Sequence, residues 1–271
     1  MLTDAHVHLD RYLPAEVPRV LDRARAAGVE WMVTVGMDPP SSEKAVGLAH
    51  THGGVLAAVG VHPWMVPADL PPDAADAIHA LSTASGVVAI GEVGLDFVEN
   101  LFLGIDHRPD PSSRQAQEAA FRRQLEIAVD LGLPLNVHCR GAYPQLVAIL
   151  AEARPARCRG VVHNFDGDTQ ALRSLLDLGF YVSFGGALTY PGAAALRRVA
   201  RVVPLDAVLI ETDAPYMPLH GDPAQSNEPA NVSAIARALA QVRKVEDDVV
   251  IEASYHNFVT LFEPESTCHV K

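Results

Sequence analysis

The chain has 271 residues, 49% of them hydrophobic, which is enough to bury a sizeable core and close to the length of a single (β/α)8 barrel. Its formal net charge of −12 argues against the broad basic face with which proteins grip long duplex DNA, so any grip on nucleic acid must be local. No apolar run is long enough to cross a membrane and no basic-then-apolar leader is visible; three cysteines outside any CxxC point to free thiols and a cytoplasmic location.

Met1–Asp10 is predicted to be a strand, and the spacing of His6 and His8 puts both imidazoles on one face. Pro14 to Ala27 has helical spacing and Gly28 stops it. Val29–Val35 is a second strand, a helix opens at Ser41–Ser42 and runs to about His52, and Val55–Val61 is a third strand followed by His62. Leu70–Thr83 is helical, Val87–Ile90 is a fourth strand ending in Gly91-Glu92, and Val98 to Ser112 is a long loop. Ser113–Leu131 is an amphipathic helix; Leu133–Val137 is a fifth strand ending at His138; Tyr143–Ala153 is a helix. Gly160–Val162 is a short strand ending at His163, followed by a helix over Asp168–Leu178 and a strand over Phe180–Phe184. A Pro-led helix over Pro191–Val202, a strand over Ala207–Ile210 ending in Glu211-Thr-Asp213, and helices near Ala230–Val242 and Asp247–Leu261 complete the chain.

Eight near-continuous apolar strands alternating with helices suggest a parallel sheet covered on both faces, closed as a (β/α)8 TIM barrel. The expected organisation is one domain over residues 1–271. An open doubly wound sheet is the competitor, but no Gly-rich phosphate loop follows any strand.

Polar residues gather where the strands end: His6, His8, His62, Glu92, His138, His163 and Asp213. In a barrel these ends converge on the face that carries active sites. The remaining histidines (50, 52, 79, 107, 220, 256 and 269) fall in helices, loops or the tail and are expected at the surface. Four histidines with one glutamate and one aspartate exceed the usual complement of one catalytic zinc and suit two divalent ions, with Glu92 as the natural bridge. The donor types do not choose among magnesium, manganese, zinc and similar ions.

Seven stretches then resemble, in order, the TatD family of metal-dependent hydrolases within the amidohydrolase-like barrels. They are Asp4-Ala-His-Val-His-Leu-Asp10, Gly60-Val-His-Pro63, Gly91-Glu-Val-Gly-Leu-Asp96, Pro134-Leu-Asn-Val-His-Cys-Arg140, His163-Asn-Phe-Asp-Gly167, Glu211-Thr-Asp-Ala-Pro-Tyr216 and Asn227-Glu-Pro229. The resemblance implies that His6 and His8 bind a first ion, Glu92 bridges, His138 and His163 bind a second, and Asp213 touches the first ion and the attacking water. It also implies that His62 sits by the substrate without ligating, and that Asn227 and Glu228 lie at the substrate mouth. The implied activity is a deoxyribonuclease, a 3′–5′ exonuclease acting on single-stranded DNA ends, with Asp213 as general base. No membrane and no obligate protein partner is expected.

Arg140 could steady a phosphate or pair with a neighbouring carboxylate. Asp10 could orient a ligand or cap a turn; Glu211 is expected as a polar partner inside the barrel, and Cys139, Phe97, Phe165 and Tyr216 mainly as packing. Where the family reads His-Cys-Phe-Ser-Gly, this chain has His163-Asn-Phe-Asp-Gly167, so Asp166 adds a carboxylate near the site. The loop after Asp96 is longer than usual for the family, and the loop before Asn227 lacks its usual basic residue. With the acidic net charge, these departures keep open a hydrolase of a small ester, lactone or amide. A non-enzymatic metal-binding scaffold is disfavoured by the complete ligand set.

Overall fold

A computed structural model describes residues 1–66, 72–98, 111–153, 158–223 and 227–264. Eight strands form one parallel sheet in sequence order: β1 (Leu2–Val7), β2 (Val29–Val35), β3 (Val55–Val59), β4 (Val87–Asp96), β5 (Leu135–Arg140), β6 (Gly160–Val162), β7 (Phe180–Phe184) and β8 (Val208–Ile210). The helices between and after them are α1 (Val17–Ala26), α2 (Pro39–Thr51), α3 (Pro72–Ser82), α4 (Pro111–Leu131), α5 (Tyr143–Glu152), α6 (Thr169–Asp177), α7 (Ala194–Val202), α8 (Val232–Arg243) and α9 (Asp247–Phe262). This is the expected βα alternation. Every residue of β1 and of β4 is buried, as strands covered on both faces must be.

The barrel closes where β8 returns to β1. Backbone N–H groups of Asp213 and His8 donate to the carbonyls of His6 (2.9 Å) and Ala214 (2.8 Å). The fully buried Asp4 carboxylate stitches the same seam, accepting from the backbone N–H (2.9 Å) and hydroxyl (2.5 Å) of Thr212. Burial pushes the Asp4 carboxyl up to about 8, against the lowering effect of the Thr212 hydrogen bonds.

The larger core lies along strands and outer helices, including Val20, Leu21, Phe121, Leu146 and Ile235. A second cluster packs Phe258, Leu261 and Phe262 of α9 on Val33, Leu56, Val88, Val161 and Leu209 from the strands. Among the described residues no helix is long and apolar enough to cross a membrane.

Several boundaries differ from the sequence expectation by two or three residues (α1 starts at Val17, β5 runs Leu135–Arg140, and α7 starts at Ala194 and not at Pro191), and two further differences have identifiable reasons. β4 does not stop at Ile90: its pairing with β5 resumes after a register shift and continues from Val93 to Asp96. The motif Gly91–Asp96 is therefore strand, not loop. α2 begins at Pro39 instead of Ser41, because the Asp38 side chain accepts from the Ser41 N–H (2.8 Å) in a capping box and Pro is tolerated at the first helical position. The loop expected from Val98 to Ser112 lies mostly outside the described residues, and residues 224–226 just before Asn227, His107, Cys268 and His269 lie outside them too.

Candidate metal centre

The converging strand ends bring the expected residues together. His6 lies in β1 and His8 just past it; Glu92 is in β4, His138 in β5, His163 just past β6, and Asp213 past β8 in a left-handed backbone conformation (φ 55°). All six are buried, none more than 8% exposed.

Glu92 stands between two groups of donors. Its Oε2 is 3.6 Å from both His6 Nε2 and His8 Nε2, which are 3.3 Å apart, and Asp213 Oδ1 lies 3.8 Å and 3.4 Å from these two nitrogens. Donors about 2.1 Å from a common centre in a tetrahedron lie about 3.4 Å apart, the scale of these five separations, and His6, His8 and Glu92 are close enough to share one ion. Glu92 Oε2 is buried without a hydrogen-bond partner among the described residues, as an oxygen reserved for a cation would be. Its Oε1 lies 3.1 Å from His138 Nδ1 and 2.9 Å from His163 Nε2, with those nitrogens 3.3 Å apart. That is the beginning of a second donor set sharing the same carboxylate.

Hydrogen bonds behind the rings set their tautomers. His6 Nδ1 faces Asn136 Oδ1 at 2.9 Å, His138 Nε2 faces Asp96 Oδ2 at 3.0 Å, and His163 Nδ1 faces Glu211 Oε1 at 3.3 Å. Each of these nitrogens donates its proton to an oxygen, which leaves the lone pair of the other nitrogen aimed at the centre. His62 is arranged the opposite way. Its Nδ1 accepts the Trp64 backbone N–H at 3.0 Å, so its Nε2 carries the proton and donates to Glu92 Oε1 at 3.3 Å. His62 thus holds Glu92 by a hydrogen bond, although with Glu92 and His138 it also lies close enough to form a donor group.

Burial alone would raise both carboxyls of the centre. The surrounding imidazoles of His62, His163 and His6 and the hydrogen bond from His138 nonetheless hold Glu92 well below its ordinary value. Asp213 is held low against burial by the His8 hydrogen bond and by His6, His8 and His163. Burial opposes charge on the rings too. It is overcome at His8 by Asp213 and Glu92, at His138 by Asp96 and Glu92, and at His163 by Glu92 and Glu211, so all three are raised. At His62 burial dominates and lowers the ring to about 4, consistent with its neutral donor role.

The centre opens on a cavity of about 530 Å³, walled in part by Trp64, Arg140, Asn164, Asp166 and Tyr216. Arg140 shows the carboxylate pair, its Nε 3.3 Å from Asp96 Oδ2, and its side chain stays one-third exposed on the cavity wall, 5.8 Å from the Trp64 ring centre. Asp166 accepts from the Tyr143 hydroxyl at 2.7 Å. Phe165 packs on Tyr143 and Phe184, and Cys139 is buried in the core, as expected of both. The described histidines 50, 79, 220 and 256 are exposed and His52 is half-buried.

Asn227 and Glu228 are both held by contacts within the protein. Asn227 is 1% exposed; its Nδ2 donates to the carbonyls of Thr212 (2.7 Å) and Tyr216 (2.6 Å), and its Oδ1 accepts from Glu228 N and Asn231 Nδ2. It braces the segment after β8. Glu228 pairs with Arg23 of α1 at 2.5 Å. The sequence reading gave no role to Asp96, Asn136 or Asn164, whose Nδ2 is 3.5 Å from Asp213 Oδ2. The available signal was position: Asn136 shares a strand face with His138, and Asp96 shares one with Glu92 across the β4 irregularity. Asp10 Oδ1 and His8 Nδ1 are both buried without hydrogen-bond partners among the described residues, so Asp10 does not orient His8 by a hydrogen bond.

A family model described as TatD related DNase matches residues 3–263. An uncharacterized metal-dependent hydrolase, YcfH of Escherichia coli, is 34% identical over 98% of this chain and 97% of its own length. A 3′-5′ ssDNA/RNA exonuclease, TatD of Klebsiella pneumoniae, is 35% identical over 90% of each chain. The crystal structure of YjjV, a TatD homolog from Escherichia coli, superposes with a TM-score of 0.87 at 29% identity, covering 97% of this chain and 98% of that one.

Proposed function

The chain belongs to the TatD family of metal-dependent hydrolases, and on that premise we propose that it is a deoxyribonuclease removing nucleotides from the 3′ end of single-stranded DNA. The observation that carries the reading is Glu92 set between two donor groups at the floor of an open cavity. In this reading His6, His8, Asp213 and one oxygen of Glu92 hold one divalent ion, and His138, His163 and the other oxygen hold the second. Magnesium, manganese and zinc all suit these donors. Bound ions would supply charge neutralisation for a phosphodiester and a water acidic enough to ionise near neutral pH.

The remaining steps belong to side chains. Asp213, held as a carboxylate, accepts the proton of the attacking water, and Asn164 steadies its second oxygen. Arg140 presents its guanidinium to a phosphate from the cavity wall. His62 donates to Glu92 and holds that carboxylate in register. The activity named for the Klebsiella relative supports the substrate, and the free thiols of Cys139 and Cys158 support a cytoplasmic location.

One feature favours a second reading. Asp166 places a carboxylate on the cavity wall of a chain with net charge −12, which suits a small neutral ester, lactone or amide better than a polyanion. A single assay separates the two. Metal-stripped protein, re-supplied with magnesium, manganese or zinc, is given a 5′-labelled single-stranded oligonucleotide beside an Asp213→Asn control. Stepwise, metal-dependent shortening that is lost in the control is the expected result. No cleavage with any metal, with turnover of an ester or lactone panel, would transfer the assignment to the second reading.

A further inference from the structure

We propose that Asp96 is a positioning residue that ties Arg140, at the cavity wall, to His138, at the metal centre; the substrate half of this inference rests on the nuclease reading above. One oxygen of this carboxylate, Oδ2, accepts hydrogen bonds from Trp64 Nε1 at 2.8 Å and His138 Nε2 at 3.0 Å and forms an ion pair with Arg140, whose Nε is 3.3 Å away. Its other oxygen accepts the Val98 backbone N–H at 3.0 Å. The backbone of Asp96 is clamped as well: its N–H donates to Gln117 Oε1 at 2.8 Å, and Gln117 Nε2 donates to its carbonyl at 3.1 Å. The residue is fully buried, so the carboxylate is a fixed acceptor.

Two consequences follow from that geometry. The proton on His138 Nε2 is fixed, which keeps Nδ1 as a lone pair facing Glu92 and His163. Arg140, otherwise a long side chain with many rotamers, is anchored through Nε, so its terminal nitrogens are presented from a defined place. Trp64 shares the acceptor and lies under the guanidinium, bracing it from the side. A bystander carboxylate would serve neither end; this one serves both through a single oxygen.

The test uses metal-stripped full-length protein titrated with manganese, without DNA, and separately a 3′-phosphorothioate single-stranded oligonucleotide that binds without being cut. Asp96→Asn is expected to weaken one of two manganese sites about 10- to 100-fold and leave the other unchanged. Arg140→Gln is expected to weaken oligonucleotide binding about 10-fold in wild-type protein but to add nothing in the Asp96→Asn background. Wild-type manganese binding in Asp96→Asn, or two substitutions whose effects on oligonucleotide binding multiply, would overturn the proposal. Should Asp96→Asn fail to fold, Arg140→Lys carries the test. It keeps the charge but loses the planar Nε donor, and is expected to shift one manganese affinity about threefold or more; no shift would overturn the coupling. If wild-type protein does not bind the oligonucleotide, the nuclease reading fails, while the manganese titrations still decide whether Asp96 positions His138.

Discussion

A neutral imidazole carries its proton on one nitrogen only, so the partner behind each ring determines what the ring can do in front. At His6, His138 and His163 an oxygen takes that proton; at His62 a backbone N–H occupies the lone pair. His62→Gln should therefore keep two bound metal equivalents in a calorimetric titration, whereas His138→Gln should lose one; loss of an equivalent in His62→Gln would contradict the tautomer argument. The same rings set a pH dependence. In metal-free protein His8, His138 and His163 are raised, so their contribution to stability is complete below about pH 6.5 and is lost as pH rises through their folded values. Glu92 and Asp213 are depressed, so theirs is present above about pH 4.5 and is lost as pH falls through their folded values. Metal must displace the histidine protons, so the rise in melting temperature on adding zinc or manganese should grow from pH 5.5 to pH 8. A metal-induced shift that is flat or shrinks over that range would contradict the assignment. The metal-type residues were legible in the sequence because His, Glu and Asp stand out against apolar strands. The acceptors behind them were not, since Asp96 reaches His138 from the neighbouring strand after a register shift and Asn136 of β5 reaches His6 of β1 from the far side of the barrel, placements that only the fold fixes.

At the scale of elements, alternation and strand order followed from apolar runs, but the end of β4 did not. The apolar run stops at Ile90, while the ladder to β5 continues through Gly94 to Asp96. Gly94 sits at φ 138°, with the His138 backbone carbonyl where a Cβ would be. Gly94→Ala should therefore destabilise by more than about 1 kcal/mol and loosen the β4–β5 pairing that carries Glu92 and His138, measured by denaturant unfolding. The segment after β8 is fixed differently, by the amide of Asn227 on the carbonyls of Thr212 and Tyr216. Asn227→Ala leaves those buried acceptors without this donor and should cost about 1–3 kcal/mol in the absence of any substrate. A variant with wild-type unfolding but impaired substrate binding would restore Asn227 to the mouth. The sequence placed it there by motif position; only the fold shows its side chain turned inward, with both ends of the amide occupied.

For the whole molecule, a net charge of −12 and a cavity whose wall carries both Arg140 and Asp166 imply a grip on few phosphates. The log of single-stranded oligonucleotide affinity at fixed metal should fall with log salt with a slope of about −0.7 to −1.4, as expected when one or two phosphates are neutralised. A slope several times steeper would reveal a basic track that this charge distribution does not suggest. Whether two ions share Glu92 is independent of the substrate and can be measured directly. Crystals grown with manganese, measured at an energy where it scatters anomalously, should show two peaks flanking Glu92, one against His6, His8 and Asp213 and the other against His138 and His163. A single peak, or a peak ligated by His62, would contradict the account.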